Sequence, residues 1–284
     1  MDLKNIKTAI RQNFIFYLTG FLVIFTLKYF YSKAGSDELT WILTPTTRWV
    51  SILSGISFTY ISGTGYVNHN LKYIIAPSCC GIQFMIITIA MLVFSFVHRV
   101  KMKGVFWTLG SIAFSFPITV FVNGLRIILA VYIPLYLEDL QFYSHILTPD
   151  RLHTLIGTVV YFTALLIIYH LADSFSLKIS SLPKTASSPA KTAIDEAGFS
   201  KPCMEKAGQS SDCCRQLIRM CLPPVFWYFF IVLGIPFLNR AYKNGPRSFM
   251  EFAVLITSVC FIIILFLCLL LMLLGRLHNQ KRLS

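Results

Sequence analysis

Six apolar runs dominate this sequence, at roughly 14–31, 82–97, 105–122, 153–172, 224–239 and 251–274. A bilayer's hydrocarbon core is about 30 Å thick, and roughly 20 helical residues cross it, a length these runs approach or reach. Lipid offers no water to the backbone, so each run must pair its own amides and carbonyls as a helix. Two further segments, 47–62 and 125–137, are broken by polar or turn residues. The first interleaves Val50, Ile52, Leu53, Ile56 and Phe58 with hydroxyl residues, the pattern of a helix lying in the interface or dipping part-way into the membrane. The second follows Asn123 and Arg126 closely and ends at Pro134, which predicts a partial or re-entrant helix. The expected fold is all-α: a polytopic transmembrane helical bundle with about six full spans plus two partial or re-entrant helices. A chain with 56% hydrophobic and only 13% charged residues is not an ordinary soluble domain.

A formal charge of +13 would suit a nucleic-acid partner if the cations formed one face. They instead sit in short blocks beside the apolar runs: Lys4, Lys7 and Arg11; Arg99, Lys101 and Lys103; Arg276, Lys281 and Arg282. That is the positive-inside pattern, which makes the lipid bilayer the partner and nucleic acid none. With all three blocks on the cytoplasmic side, 32–81 and 123–152 fall outside, while 173–222 is a cytoplasmic loop. Arg240, Lys243 and Arg247 run against the rule in a short outer loop. The basic-then-apolar N-terminus resembles a signal peptide, but Ser32-Lys33-Ala34-Gly35 is no small-residue cleavage site, so a retained first span is expected. Composition divides the chain into a membrane domain over 1–175, a polar linker over 176–222 and a two-helix membrane segment over 223–284.

Three polar features share the outer side of this topology. Cys79 stands in Pro77-Ser78-Cys79-Cys80-Gly81, just before a span, where the amide dipoles of a first helical turn favour a thiolate. Arg126 lies between Val120-Phe121-Val122 and Ile127-Ile128-Leu129, a placement that costs about 2.5–3.5 kcal/mol in lipid and calls for a cavity or an anionic partner. His153 opens another span and titrates near neutral pH, which suits a partner for a thiol. Each has a plain explanation: a small packing residue, a snorkelling arginine, an interfacial histidine. Taken together, three chemically complementary groups from three spans at one face point to acyl transfer through a thiol. His153 takes the proton of Cys79 and returns it to the leaving amine, and Arg126 stabilises the oxyanion.

No phosphate-cradling glycine loop competes for that role, and no cofactor is expected. Cys203, Cys213, Cys214 and Cys221 follow no usual zinc spacing, so metal ligation is not expected and reduced thiols are. Cys260 and Cys268 lie in an apolar run and read as packing. His145 shares the outer loop with Glu138 and Asp139 and is a candidate supporting group.

At these residues the chain resembles the exosortase and archaeosortase family of membrane-embedded transpeptidases. The resemblance rests on Cys79-Cys80-Gly81, on Asn123-Gly124-Leu125-Arg126 and on His153-Thr154-Leu155-Ile156-Gly157, and it covers about 14–175. The words Gly55-Ile56-Ser57-Phe58-Thr59-Tyr60 and Pro77 to Phe84 look most like the exosortase K branch. Cys80 departs from the family's usual serine and leaves two adjacent thiols; its position before the Cys/Ser-Gly step points to Cys79 as nucleophile. A bridge between neighbouring cysteines would be strained, because adjacent Cα atoms sit nearer than disulfides prefer. The resemblance implies catalysis by Cys79, Arg126 and His153 at the outer face of a bacterial plasma membrane. It implies membrane-anchored protein substrates with C-terminal sorting signals, each a short motif, a helix and a basic tail, passed through a thioester to an amine on a surface acceptor. The rival readings are a transporter in which Arg126 binds an anion, and an envelope assembly scaffold with no thiol catalysis.

Overall fold

The computed structural model describes residues 11–100, 104–139, 148–180, 210–240, 243 and 246–283. Apolar length sets its architecture. Among the described residues, six helices are long and apolar enough to cross a membrane, as expected of a polytopic helical bundle. Helix α1 (Phe14–Lys33) is followed by the shorter α2 (Thr40–Ser54) and by three strands. Then come α3 (Ile82–Val100), α4 (Gly104–Asp139), α5 (Pro149–Ser180), α6 (Ser210–Phe229) and α7 (Pro246–Leu283). Helix α6 continues through a π-helical turn, Phe230–Gly234, into Ile235–Leu238.

Helix α3 is the axis of the bundle. It packs against α1, α4, α5 and α6 and buries residues on every side, including Phe84, Met91 and Phe96. Hydroxyls within the spans are satisfied by the carbonyl one turn back, as in Thr88 to Phe84 (2.9 Å), Thr108 to Gly104 (2.9 Å) and Thr119 to Ser115 (2.6 Å). At the C-terminal end of α3, Arg99 pairs with Asp173 of α5 at 2.5 Å. The Trp227 indole donates to Ser95 Oγ at 3.3 Å, attaching α6 to the same axis.

The two segments expected to be partial helices are built differently. The 47–62 segment is not one helix: α2 begins earlier, at Thr40, and stops at Ser54, where Gly55 takes the left-handed φ of +70°. The chain then forms an antiparallel sheet of order β1-β2-β3, from Thr59–Ile61, Gly65–Asn68 and Tyr73–Ile75. Aromatic and β-branched residues separated by Gly63-Thr64-Gly65 favour a hairpin over a helix. Asp37 holds the hairpin turn, accepting from the Tyr60 hydroxyl, from the Gly63 amide (3.0 Å) and from Ser62 Oγ (3.0 Å). These donors, Tyr60 foremost, hold the Asp37 carboxyl below the usual carboxylate range, and the same bond pushes the Tyr60 phenol up to about 12.

The 125–137 segment is not re-entrant. It is the second part of α4, a continuous 36-residue helix, about 54 Å long at 1.5 Å per residue. Asn123 and Arg126 are both buried within it. Because their polar groups find partners on α5 and in the turn before α3, no break in α4 is needed to let them reach water. Helix α4 therefore carries Arg126 to the end of the bundle where α3 begins and α5 starts. Residues 176–222, expected as a polar linker, include the last turn of α5 and the first turns of α6.

Candidate active site

The turn before α3 sets the geometry of the thiols. Pro77–Cys79 form a 3₁₀ turn in which the Cys79 amide donates to Ala76 O (2.8 Å) and the Cys80 amide to Pro77 O (3.1 Å). Gly81 then reverses the chain with φ +77°, and α3 starts at Ile82. A side chain at Gly81 would be strained there, and its Cβ would lie 2.9 Å from Asn123 Cγ. The glycine of the Cys-Cys-Gly word thus lets α4 press its asparagine against the turn. Asn123 is fully buried and donates from Nδ2 to the Cys79 carbonyl at 2.6 Å.

Asn123 also organises the other side of the site. Its Oδ1 accepts from the Tyr161 hydroxyl (2.6 Å) and from Arg126 Nη1 (3.4 Å). Arg126 Nη1 donates as well to Tyr161 Oη (3.3 Å), and the guanidinium lies 5.3 Å from the centre of the Tyr161 ring. The tyrosine ring is also stacked on Phe84, the ring centres 4.8 Å apart. Gly157 gives the arginine room, since a Cβ there would sit 3.1 Å from Nε. His153, Gly157 and Tyr161 follow one another at four-residue steps, so they line one side of α5.

Arg126 and His153 are in direct contact, with Nη2 and Nε2 at 2.6 Å. A guanidinium has only donors, so the imidazole Nε2 accepts. His153 is therefore neutral here, with its proton on Nδ1. Every described hydrogen-bond partner of Arg126 is a neutral acceptor: an amide oxygen, a phenol and an imidazole. Its Nε is buried without a partner. Among the described residues the site thus holds a buried cation with no partner of opposite charge, an arrangement that favours an anion arriving from outside.

The structure brings the three sequence-predicted residues to one end of the bundle. Arg126 touches His153 directly, and Cys79 is joined to Arg126 through Asn123 by its backbone carbonyl. The Cys79 thiol lies within electrostatic reach of Arg126 and Tyr161, with Ser78 Oγ at 4.0 Å. Cys79 and Cys80 are both free, Cys79 at 6% exposure and Cys80 at 1%, which leaves Cys79 the more approachable thiol.

Tyr161 was missed from sequence because an aromatic residue in an apolar helix reads as packing; its four-residue spacing from Gly157 and His153 was the available signal. Asn123 was visible as part of a motif without a role. His145 and Cys203 lie outside the described residues, as do the side chains of Glu138, Asp139, Cys213 and Cys214. Cys221 is a free thiol, and among the described residues no three His, Cys, Asp or Glu side chains group to hold a metal.

A sequence model described as transmembrane exosortase matches residues 3–170, more than half of the chain. No curated protein and no solved structure gives a significant match.

Proposed function

Since this chain belongs to the transmembrane exosortase family, we propose that it is a thiol transpeptidase that cleaves C-terminal sorting signals through a thioester on Cys79. The observation that carries this reading is the buried guanidinium of Arg126, whose described partners Asn123, Tyr161 and His153 are all neutral and which is joined through Asn123 to the cysteine turn before a helix.

In the substrate-free state Arg126 occupies the acceptor lone pair of His153. A substrate carbonyl offers the guanidinium a better acceptor and releases Nε2 to take the Cys79 proton. The thiolate then attacks the carbonyl carbon; a C–S bond forms while the carbonyl electron pair moves to oxygen, where Arg126 stabilises it. Collapse breaks the C–N bond, and His153 returns the proton to the leaving amine. An amine of a surface acceptor next attacks the thioester and regenerates the Cys79 thiol. Asn123 and Tyr161 fix the arginine's place rather than touch the reacting atoms. We read this end of the bundle, from the basic flanks of the spans and the family resemblance, as lying at the outer face of a bacterial plasma membrane. Membrane-anchored proteins would present their signals there.

The test is processing of a co-expressed, membrane-anchored protein that carries a sorting signal, followed by gel mobility. Cys79→Ala abolishes processing and Cys80→Ala leaves most of it. Loss in Cys80→Ala alone moves the nucleophile to Cys80. If both variants process normally, the thiol mechanism fails and the transporter or scaffold readings take its place.

A further inference from the structure

Tyr73 belongs to β3, six residues before Cys79, and pairs across the sheet with Asn68. The strand leads through Ala76 into the 3₁₀ turn, so the tyrosine and the thiol are parts of one short, hydrogen-bonded segment. Tyr73 packs against the buried core, and its Oη is buried with no hydrogen-bond partner. A buried phenol left unpaired is destabilising, so its persistence requires an explanation. Its surroundings supply one: the phenol lies within electrostatic reach of Cys79, Arg126 and Tyr161. Arg126 Nε is the second buried donor at this site without a partner. Two orphaned donors within electrostatic reach of one thiol describe a site whose acceptor comes from elsewhere.

We propose that Tyr73 is a further catalytic residue: its hydroxyl donates to the oxyanion that forms on the scissile carbonyl, alongside Arg126. The inference rests on the thioester reading above. The phenol keeps its proton throughout: as the C–S bond forms and the carbonyl pair moves to oxygen, Tyr73 contributes a hydrogen bond and no proton transfer. Burial pushes the Tyr73 phenol up, and the charge of Cys79 adds to that shift, so at neutral pH the group is a donor and not an anion. On this proposal the oxyanion would meet two donors, one charged on α4 and one neutral on β3.

Two small probes separate this role from packing. Acylation of a thiol by p-nitrophenyl acetate passes through a tetrahedral oxyanion and releases p-nitrophenolate; alkylation by iodoacetamide displaces iodide and forms no oxyanion. Both are measured on the full-length protein in detergent, in a Cys80→Ser background, with modification of Cys79 quantified by peptide mass. Tyr73→Phe keeps the ring and removes the donor. Its acylation rate falls about tenfold or more, towards the 10²–10³-fold seen when one oxyanion donor is removed, while its alkylation rate stays within about twofold. Tyr73→Gln, which restores a donor, recovers part of the loss. Unchanged acylation overturns the proposal. Equal loss with both probes also overturns it, because Tyr73 would then act on the thiol or the fold. If Cys79 of the Cys80→Ser protein is acylated no faster than in the denatured chain, the thioester reading itself fails, whatever Tyr73 does.

Discussion

Two spans of this protein, α3 and α7, are both apolar enough to live in lipid, yet they occupy opposite environments. In α3 and the turn before it, 83% of the most apolar window is buried inside the protein; in α7 the corresponding share is 11%. Apolarity therefore reports that a helix can enter a membrane and says nothing of what surrounds it there. The difference matches the proposed function. The thiol turn stands at the start of the most enclosed helix, where rigid neighbours on α4 and α5 can hold Asn123, Arg126 and His153 in place. The hairpin of α6 and α7, beyond the residues matched by the family, faces mostly outward and joins the bundle through Tyr228, Ile231, Ile256 and Cys260. On the proposed function, one region holds the chemistry and the other braces a flank.

The largest effect expected from that division is in the buried site. Arg126→Lys keeps the positive charge but loses the fork that reaches Asn123, Tyr161 and His153 together. Processing of a co-expressed sorting-signal protein falls about 10²–10³-fold, while the midpoint of unfolding in a dodecyl sulfate titration moves little. Activity retained in the lysine variant would show that a point charge suffices and that the fork is structural.

The opposite signature is expected at the hairpin. Tyr228 is 3% exposed and packs its ring 5.4 Å from that of Phe162 on α5. Tyr228→Ala removes that packing and costs about 3 kcal/mol, the low end of the range for aromatic truncation, since lipid tails can fill the space. The dodecyl sulfate midpoint drops clearly, and processing by the folded fraction persists within a few-fold. A folded Tyr228→Ala protein as inactive as Cys79→Ala would make the hairpin part of the catalytic unit and end the comparison.

The same contrast explains what could be read from sequence. The spans were legible because length and apolarity are local properties, and the common face of Cys79, Arg126 and His153 followed from where the Lys/Arg blocks lie. What depends on which side of a helix meets which neighbour was not legible. Asn123 and Arg126 look like a break in α4 until their partners on α5 and in the Cys79 turn are seen to satisfy them. The sheet was readable in principle, since Thr59-Tyr60-Ile61 and Tyr66-Val67 flank a Gly-Thr-Gly turn. The hydroxyls around it resemble an interfacial helix more strongly than two short strands resemble a hairpin. Tyr73 and Tyr161 are aromatic residues in apolar surroundings, and only the fold distinguishes a packed ring from an aimed hydroxyl.

The smallest effect expected tests whether the two regions communicate. Arg151, two residues before His153 on α5, pairs with Glu251 of α7 at 2.8 Å, the one ion pair between the regions among the described residues. Both side chains are well exposed, at 43% and 61%, and such a pair contributes about 0–1 kcal/mol and is screened by salt. Glu251→Gln therefore shifts the unfolding midpoint barely measurably and changes processing by less than about twofold, with no dependence on salt between 0.05 and 0.5 M beyond that of the unmodified protein. His153 is held by Arg126 at 2.6 Å, so loosening the pair is expected to leave the imidazole where it is. A fivefold loss of processing at low salt that vanishes at high salt would show the reverse: the hairpin sets the start of α5, and through it the orientation of His153.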